Sequence, residues 1–547
     1  MPSPSLCRLL AVLLATLLWG GCAGCGGEPR GDAGDAGASG GPRRGGQVVI
    51  AVTSDFNGVN TLIGPSSVIT AEIERQLFLP LVSEQPDYKT IEPALAESWE
   101  FSQDHRVLTF HLRRDVLWSD GTPVTADDVA FSFEAWTHPD VAWDNAAAMA
   151  AVERVEVVDP HTVRFHFERV YSTQLLDAAT FAVIFPKHAW GTRPFSEWRD
   201  DADWFREHLV VSGPFDLASW TPQQEIVLQR NPLYYRDGLP HLERVIFRVV
   251  PDQTNQFTQL LNGQADYVLQ LSPDDVARVE SAPGTDVLSY WTRGYITVGW
   301  NLRRAELADS LVRRALTHGI DRQTLVDSIW GEYARPLNGP IPEEVWAHDS
   351  ALEPLDYDPD EARRLLAAAG WEDGDGDGVR EKAGRPLRLR LITNAGNRQR
   401  EDAAVLIQDQ LRRVGVAVVP EVLEFNTMIQ QALVGDFDGL LFGSTLPTTM
   451  DLRFAFHSEE IESGNNIVAY ANPEVDRLLD EIGAQPTHDD AKPLLDRLQR
   501  LIQEEQPYTF LWQSQRLVGV RERVHGAAPN HLFNLWLLEE WWVDPPR

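Results

Sequence analysis

Two cysteines three residues apart, Cys22 and Cys25 in the stretch LLWGGCAGCGG, are the first residues with a chemistry to weigh. Redox enzymes place two thiols at this C-x-x-C spacing near a helix N-terminus, where the leading thiol is acidified. Here no strand pattern precedes the pair and no helix pattern follows. GGEPRGDAGDAGASGGPRRGG comes next, a tract with too little apolar surface to order itself. Cys7 is the one other cysteine, so a zinc set cannot be completed either. A second constellation is DGDGDGVRE, in which Asp373, Asp375, Asp377, Gly378 and Glu381 match positions 1, 3, 5, 6 and 9 of a calcium loop. Position 12, which needs a bidentate Glu, is Gly384, and AGRPLRLRL reads as turn and strand where the exiting helix belongs. The set is either a solvated acidic turn or an incomplete calcium site. Gly37 to Gly41 spells G-x-S-x-G, but inside the polar tract, without the strand and helix that make it a nucleophile elbow. No H-E-x-x-H, phosphate loop or dinucleotide fingerprint occurs, so the chain offers no motif for a hydrolase or for a bound cofactor.

Cysteine chemistry of another kind fits the context. Leu9 to Trp19 is an unbroken apolar run behind Arg8, followed by Gly20 and Gly21, which is a secretory signal pattern. The run is too short to cross a bilayer, which takes about 20 residues, and no later segment approaches that length. Small residues ending in a cysteine resemble a bacterial lipoprotein signal. Residues 1–21 are then the signal peptide, Cys22 the acylated residue with Cys25 as the alternative, and 22–46 a flexible tether to a membrane. The expected location is outside the cytoplasmic membrane, in a periplasm or on a cell surface.

Against 48 Lys+Arg stand 81 Asp+Glu, a net charge of −33 with no basic cluster, so a nucleic-acid backbone would be repelled. At 547 residues and 43% hydrophobic content the chain can bury several cores without disulfides. The 18 Trp are either core and rim residues or the flat walls of a ligand cleft.

Local signals alternate between strand and helix. QVVIAV (47–52) is apolar enough for a strand covered on both faces. Ser67 to Leu79 has helical spacing, with Glu72 and Glu74 placed to meet the helix dipole. RVLTFHL alternates as a strand, Thr125 with Asp128 forms a capping box, and RVEVVDPHTVRFHF is a hairpin turning at Asp159 and Pro160. Asp358-Pro359 and Asn472-Pro473 each open a helix, closed near Gly370 and Gly483. The class is α/β with antiparallel hairpins.

Ordered blocks now carry a resemblance: LVSEQPDYKTIEPALAESWEFSQDHRVLTFHLRRDVLWSDGTPVTADDVAFSFEAW, SGPFDLASWTPQQEIVLQRNPLYYRDGLPHLERVIFRVVPD, LLNGQADYV, VRRALTHGIDRQTLV, YDPDEARRLLAAAGW and YANPEVDRLLDEI. In sequence and order they resemble the family 5 extracellular solute-binding proteins of oligopeptide, dipeptide and nickel ABC importers. The resemblance implies a two-lobed periplasmic-binding-protein clamp (class II-like, cluster C) with an α/β subdomain inserted in the first lobe. Mapped here, the first lobe takes 47–85, 212–297 and 513–547, the inserted subdomain 86–211, and the second lobe 298–512. It also implies a monomer whose partners are a dissolved ligand and the permease and ATPase subunits of an importer, with no catalysis.

Clefts in such clamps are lined by loops at strand ends and by the crossing segments. That selects Asn57 and Asn60 after the first strand, Trp291, Arg293 and Tyr295 in YWTRGYITVGWNL, and Asp451 and Arg453 in TTMDLRF. Trp291 has the alternative of a core position, and Arg293 that of an ion pair at a lobe edge. Peptide-binding relatives carry a G-W-x-x-D-x-x-D-P-like stretch after a phenylalanine- or tyrosine-aspartate pair, in which an aspartate receives the peptide ammonium. Phe437 and Asp438 match that pair, but Ser444 stands at the Trp and Pro447 near the aspartate, leaving Asp451 close to the second aspartate. A peptide-like ligand is the family expectation, with an oligosaccharide, a metal chelate, or a sensor without transport as alternatives.

Overall fold

The structure, a computed structural model, describes residues 41–64, 67–179 and 183–545. Cys22 and Cys25 lie outside the described residues.

The strand Gln47–Val52 is buried from Val48 onward and pairs in parallel with Arg244–Val249 on one side and Tyr267–Val268 on the other. Antiparallel strands Glu225–Arg230 and Phe215–Thr221 extend this half outward. Two strands are far longer than the rest: Thr285–Trp300, of 16 residues, and Tyr508–Arg521, of 14, run antiparallel side by side. At ~3.3 Å per residue the longer one spans about 50 Å, nearly three times a usual strand, which lets it serve two lobes. Near one end of the pair Val520 meets Tyr267 of the first lobe. At the other, Gly294 to Trp300 pair with Gly439–Thr445, followed by the parallel strands Arg388–Asn394 and Ala417–Leu423 of the second lobe. One eleven-stranded sheet among the described residues thus runs through both lobes.

A separate four-stranded antiparallel sheet, Ala96–Phe101, Val107–Leu112, Thr162–Phe167 and Val152–Asp159, packs with the helix Ala126–Thr137. Asp128 does more than close the capping box. Its buried carboxylate accepts from Thr125 N–H at 2.8 Å and from Lys187 N–H at 2.9 Å, tying the helix to the following segment. Trp118, Trp136, Trp190 and Trp198 are fully buried here, and Trp300, Trp512 and Trp541 elsewhere, so much of the tryptophan excess is core.

The helix Val68–Leu77 is capped by Ser67, whose Oγ accepts from Thr70 N–H at 3.2 Å. Its two acids do not serve the dipole, as the sequence suggested. Glu72 is buried, and Glu74 is half-buried beside Trp136 and Trp143, hydrogen-bonded by Thr61 Oγ1. Burial pushes the Glu74 carboxyl from 4.5 up to about 7, against the Thr61 bond and Arg75. A folded-state pKa above the unfolded one means a contribution that is fully present below pH 4.5 and lost as pH rises through 7. Wild type is therefore expected to lose about 2 kcal/mol more stability than Glu74→Gln between pH 4.5 and 7.5. Urea unfolding at both pH values checks this; parallel pH profiles for the two proteins contradict it.

Candidate ligand-binding cleft

Between the lobes, over the paired long strands, lies a cavity of about 510 Å³. The helix Val68–Leu77 and the C-terminal stretch around His531 and Asn534 wall it from the first lobe; Trp330, Arg400 and Gly443 to Thr445 wall it from the second. A crevice of about 940 Å³ beside Arg43, Asp266 and Arg523 is larger, but no residue of the second lobe lines it.

Where the first long strand enters the cavity, its register slips. Trp291 pairs with Gln515 but Tyr295 with Gln513, so Thr292, Arg293 and Gly294 bulge out of the ladder. Bulges re-aim side chains, and this one turns Arg293 into the cavity wall. Its Nη1 donates to Leu446 O at 3.0 Å in the second lobe and its Nε to His531 O at 3.3 Å in the C-terminal stretch. Burial lowers the Arg293 pKa, opposed by Tyr88 and Glu84. His531 stacks flat on Tyr88, ring centroids 3.8 Å apart and 2° from parallel. Burial, helped by the Arg293 charge, pushes the imidazole down to about 4, so it is neutral at physiological pH. Tyr88 stands beyond the strand Val82–Glu84, yet its ring belongs to the apolar cluster of Leu337, Ile341 and Phe510 in the second lobe. Ser172 N–H also donates to Gly483 O at 3.2 Å. The lobes are thus in contact beside the cavity through Arg293, and at a second place, away from it, through Ser172 and Gly483.

Glu72 organises the opposite wall. One carboxylate oxygen accepts from Asn534 N–H at 2.7 Å and from Asn534 Nδ2 at 3.0 Å; the other accepts from Leu535 N–H at 3.3 Å. Asn534 in turn accepts Tyr267 O–H on its carbonyl and Tyr290 O–H on Oδ1, both at 2.9 Å. Two further guanidiniums line the cavity. Arg400, in the first turn of the helix Arg398–Arg412, donates to Asn394 Oδ1 at 2.6 Å and lies 4.7 Å from the Phe442 ring centroid. Arg516, on the second long strand, is held by Gln270.

Of the residues selected from sequence, Arg293 and Tyr295 line this cavity. Tyr295 is 4% exposed and packs near Phe510. Trp291 is not part of the lining; the Arg335 guanidinium covers its ring at 4.2 Å. Nor are Asn57 and Asn60. Asn57 is exposed, its N–H donating to Thr70 Oγ1, and buried Asn60 accepts from Leu62 N–H within its own turn. Asp451 and Arg453 border a different cavity, of about 860 Å³, shared with Tyr171 and Asp177. Arg453 is committed there to Glu459 at 2.5 Å and to Asp480. Asp373, Asp375 and Asp377 are exposed with carboxylate oxygens within 4.8 Å of one another, while Glu381 Oε1 accepts from Gly374 N–H at 2.9 Å. Asp373 also accepts from Gly376 and Gly378 N–H, so the loop closes on its own backbone. Glu72, Trp330, Arg400, Arg516, His531 and Asn534 line the cleft without having been selected.

Comparison with known proteins places this geometry. Residues 90–457 match the family described as bacterial extracellular solute-binding proteins, family 5 Middle. The chain is 27% identical over 544 residues to the oligopeptide-binding protein AppA of Bacillus subtilis, covering 98% of both chains. The structure of that protein in complex with a nonapeptide superposes with a TM-score of 0.74 at 27% identity, over 92% of this chain and all of the other. CtaP, an ABC transporter substrate-binding protein of Listeria monocytogenes, shares the fold at a TM-score of 0.80 and 22% identity, again over 92% of this chain and all of that one. With a two-lobed fold, a cavity walled from both lobes and a family match over most of its length, the chain belongs to the family 5 extracellular solute-binding proteins.

Proposed function

We propose that the chain is a lipid-anchored, extracytoplasmic receptor of an ABC importer, which closes over a peptide-like solute and delivers it unaltered to the permease. The observation that supports this reading is the cavity walled by both lobes and floored by the two strands that join them. A solute held there touches both halves, so it favours the closed form by its differential affinity for that form. About 510 Å³ is within the range of small-solute sites. The naming of AppA as oligopeptide-binding, and of DdpA of Escherichia coli as a probable D,D-dipeptide-binding protein, points the same way. The lobe boundaries at 47–85, 212–297 and 513–547 against 298–512, with 86–211 inserted, belong to this reading. So does the acylated Cys22, with Cys25 as the alternative: a tethered clamp meets its importer at high effective concentration.

Native mass spectrometry of protein purified from its own host is expected to show a bound small molecule. Returning that compound to stripped protein should raise Tm with concentration, as mass action requires. A bare mass, together with no shift from a panel of peptides, sugars and metal chelates, overturns the receptor reading. Cys22→Ser is expected to move the protein from the membrane to the soluble fraction; release by Cys25→Ser alone relocates the anchor.

A further inference from the structure

The cleft is cationic inside an acidic protein. The chain carries −33, yet the charged side chains lining the cavity are three arginines, Arg293, Arg400 and Arg516, against one carboxylate, Glu72. That carboxylate is 3% exposed and already takes three N–H groups from Asn534 and Leu535, which leaves it little capacity for a ligand cation. Arg293 has Glu84 as a Coulombic neighbour and spends two of its five N–H donors on backbone carbonyls. Arg400 and Arg516 form no ion pair with any carboxylate among the described residues. Their hydrogen bonds go to neutral groups: Asn394 Oδ1 for the first, Gln270 Oε1 and the Tyr290 hydroxyl for the second.

Fixed donors accompany this charge. Arg400 Nε and Trp330 Nε1 are buried with no hydrogen-bond partner in the protein. A buried donor left unpaired costs about 1–3 kcal/mol. Gly443 makes the space: a Cβ there would lie 3.0 Å from Arg400 Nη2 and 3.2 Å from Ile296 Cδ1. Guanidiniums anchored along one edge leave the other free for a planar or tetrahedral oxyanion.

Building on the receptor reading, we propose that the cleft selects a solute with net negative charge, bearing at least two carboxylate or phosphate groups and no free ammonium, and that Arg400 and Arg516 are its specificity-determining contacts. A zwitterionic peptide would bring an ammonium to a wall with no carboxylate free to receive it, whereas a dianion relieves two half-buried cations.

The test is calorimetric titration of the full-length protein at low salt with four probes: N-acetyl-Asp-Glu for carboxylates, fructose 1,6-bisphosphate for phosphates, trialanine as zwitterion and trialanine amide as cation. At least one anionic probe is expected to bind saturably, and which one distinguishes carboxylate from phosphate. Arg400→Gln and Arg516→Gln should each weaken it about tenfold or more without lowering Tm of the free protein. Binding of trialanine or its amide with an affinity that neither variant changes overturns the charge inference and leaves the receptor reading intact, as does an uncharged or cationic solute carried by protein from its own host. Silence from both anionic probes also overturns it. Silence from all four, joined to a bare native mass, sinks the receptor reading itself.

Discussion

Gly213→Ala is expected to lower the unfolding free energy by about 3 kcal/mol or more, beyond what a single added methyl costs in a yielding core. The reason is where the methyl lands. A Cβ at Gly213 would sit 2.4 Å from Gln76 O, 2.7 Å from Leu77 C and 2.8 Å from Gln76 C, all backbone atoms that cannot rotate away. The approach is fixed from both sides, since Ser212 and Gly213 N–H both donate to Leu77 O, at 3.1 and 2.8 Å, and Asn231 Nδ2 holds Gly213 O at 2.8 Å. Relief requires pushing away the end of the helix that carries Glu72, so the damage travels into the cleft wall. Gly483→Ala is the control. Nothing lies within 4 Å of its Cβ, it ends a helix without positive φ, and Ala there is expected to change stability by no more than about 1 kcal/mol, in the stabilising direction. Chemical denaturation of the three proteins decides; a loss below about 1 kcal/mol at Gly213 contradicts the steric account.

What was legible in the sequence is what local chemistry writes down. Thr125 with Asp128, Asp358 before Pro359 and Asn472 before Pro473 name helix starts because each supplies an acceptor for N–H groups the helix cannot satisfy. The buried first strand was legible because a strand paired in parallel on both sides needs an unbroken apolar run. The cleft was less so. Side-chain alternation cannot foresee the slip at Thr292 to Gly294, which decides that Arg293 lines the cavity and Trp291 does not. Arg400 stands in GNRQRED, indistinguishable from the polar first turn of any exposed helix until Phe442 and Gly443 are seen beside it. Glu72 did leave a trace. It shares the buried helical face of Ile69, Ile73 and Gln76, a place where a carboxylate survives only with donors waiting for it. Those donors lie more than 460 residues away in the chain, out of reach of any local pattern.

Those same donors set the cost of removing the acid. Glu72→Ala strips the acceptor from two backbone N–H groups and one side-chain amide and is expected to destabilise the protein by about 3 kcal/mol or more. Asn534 also receives the hydroxyls of Tyr267 and Tyr290, so the wall from Asn530 to Leu535 loosens as a unit and solute affinity falls with it. Glu72→Gln keeps one acceptor oxygen while turning an amide donor toward other donors, and should recover only part of the loss. Burial raises the Glu72 pKa above 4.5 despite the Asn534 and Leu535 bonds, so its contribution is fullest in acid and shrinks as pH rises through the raised value. The stability gap between wild type and Glu72→Gln is therefore expected to be widest in acid and to narrow upward. Hydrogen exchange at the Asn534 and Leu535 amides reads the local effect and denaturation the global one. Unchanged amide protection in Glu72→Ala, with a loss under about 1 kcal/mol, would show that this wall holds without its carboxylate.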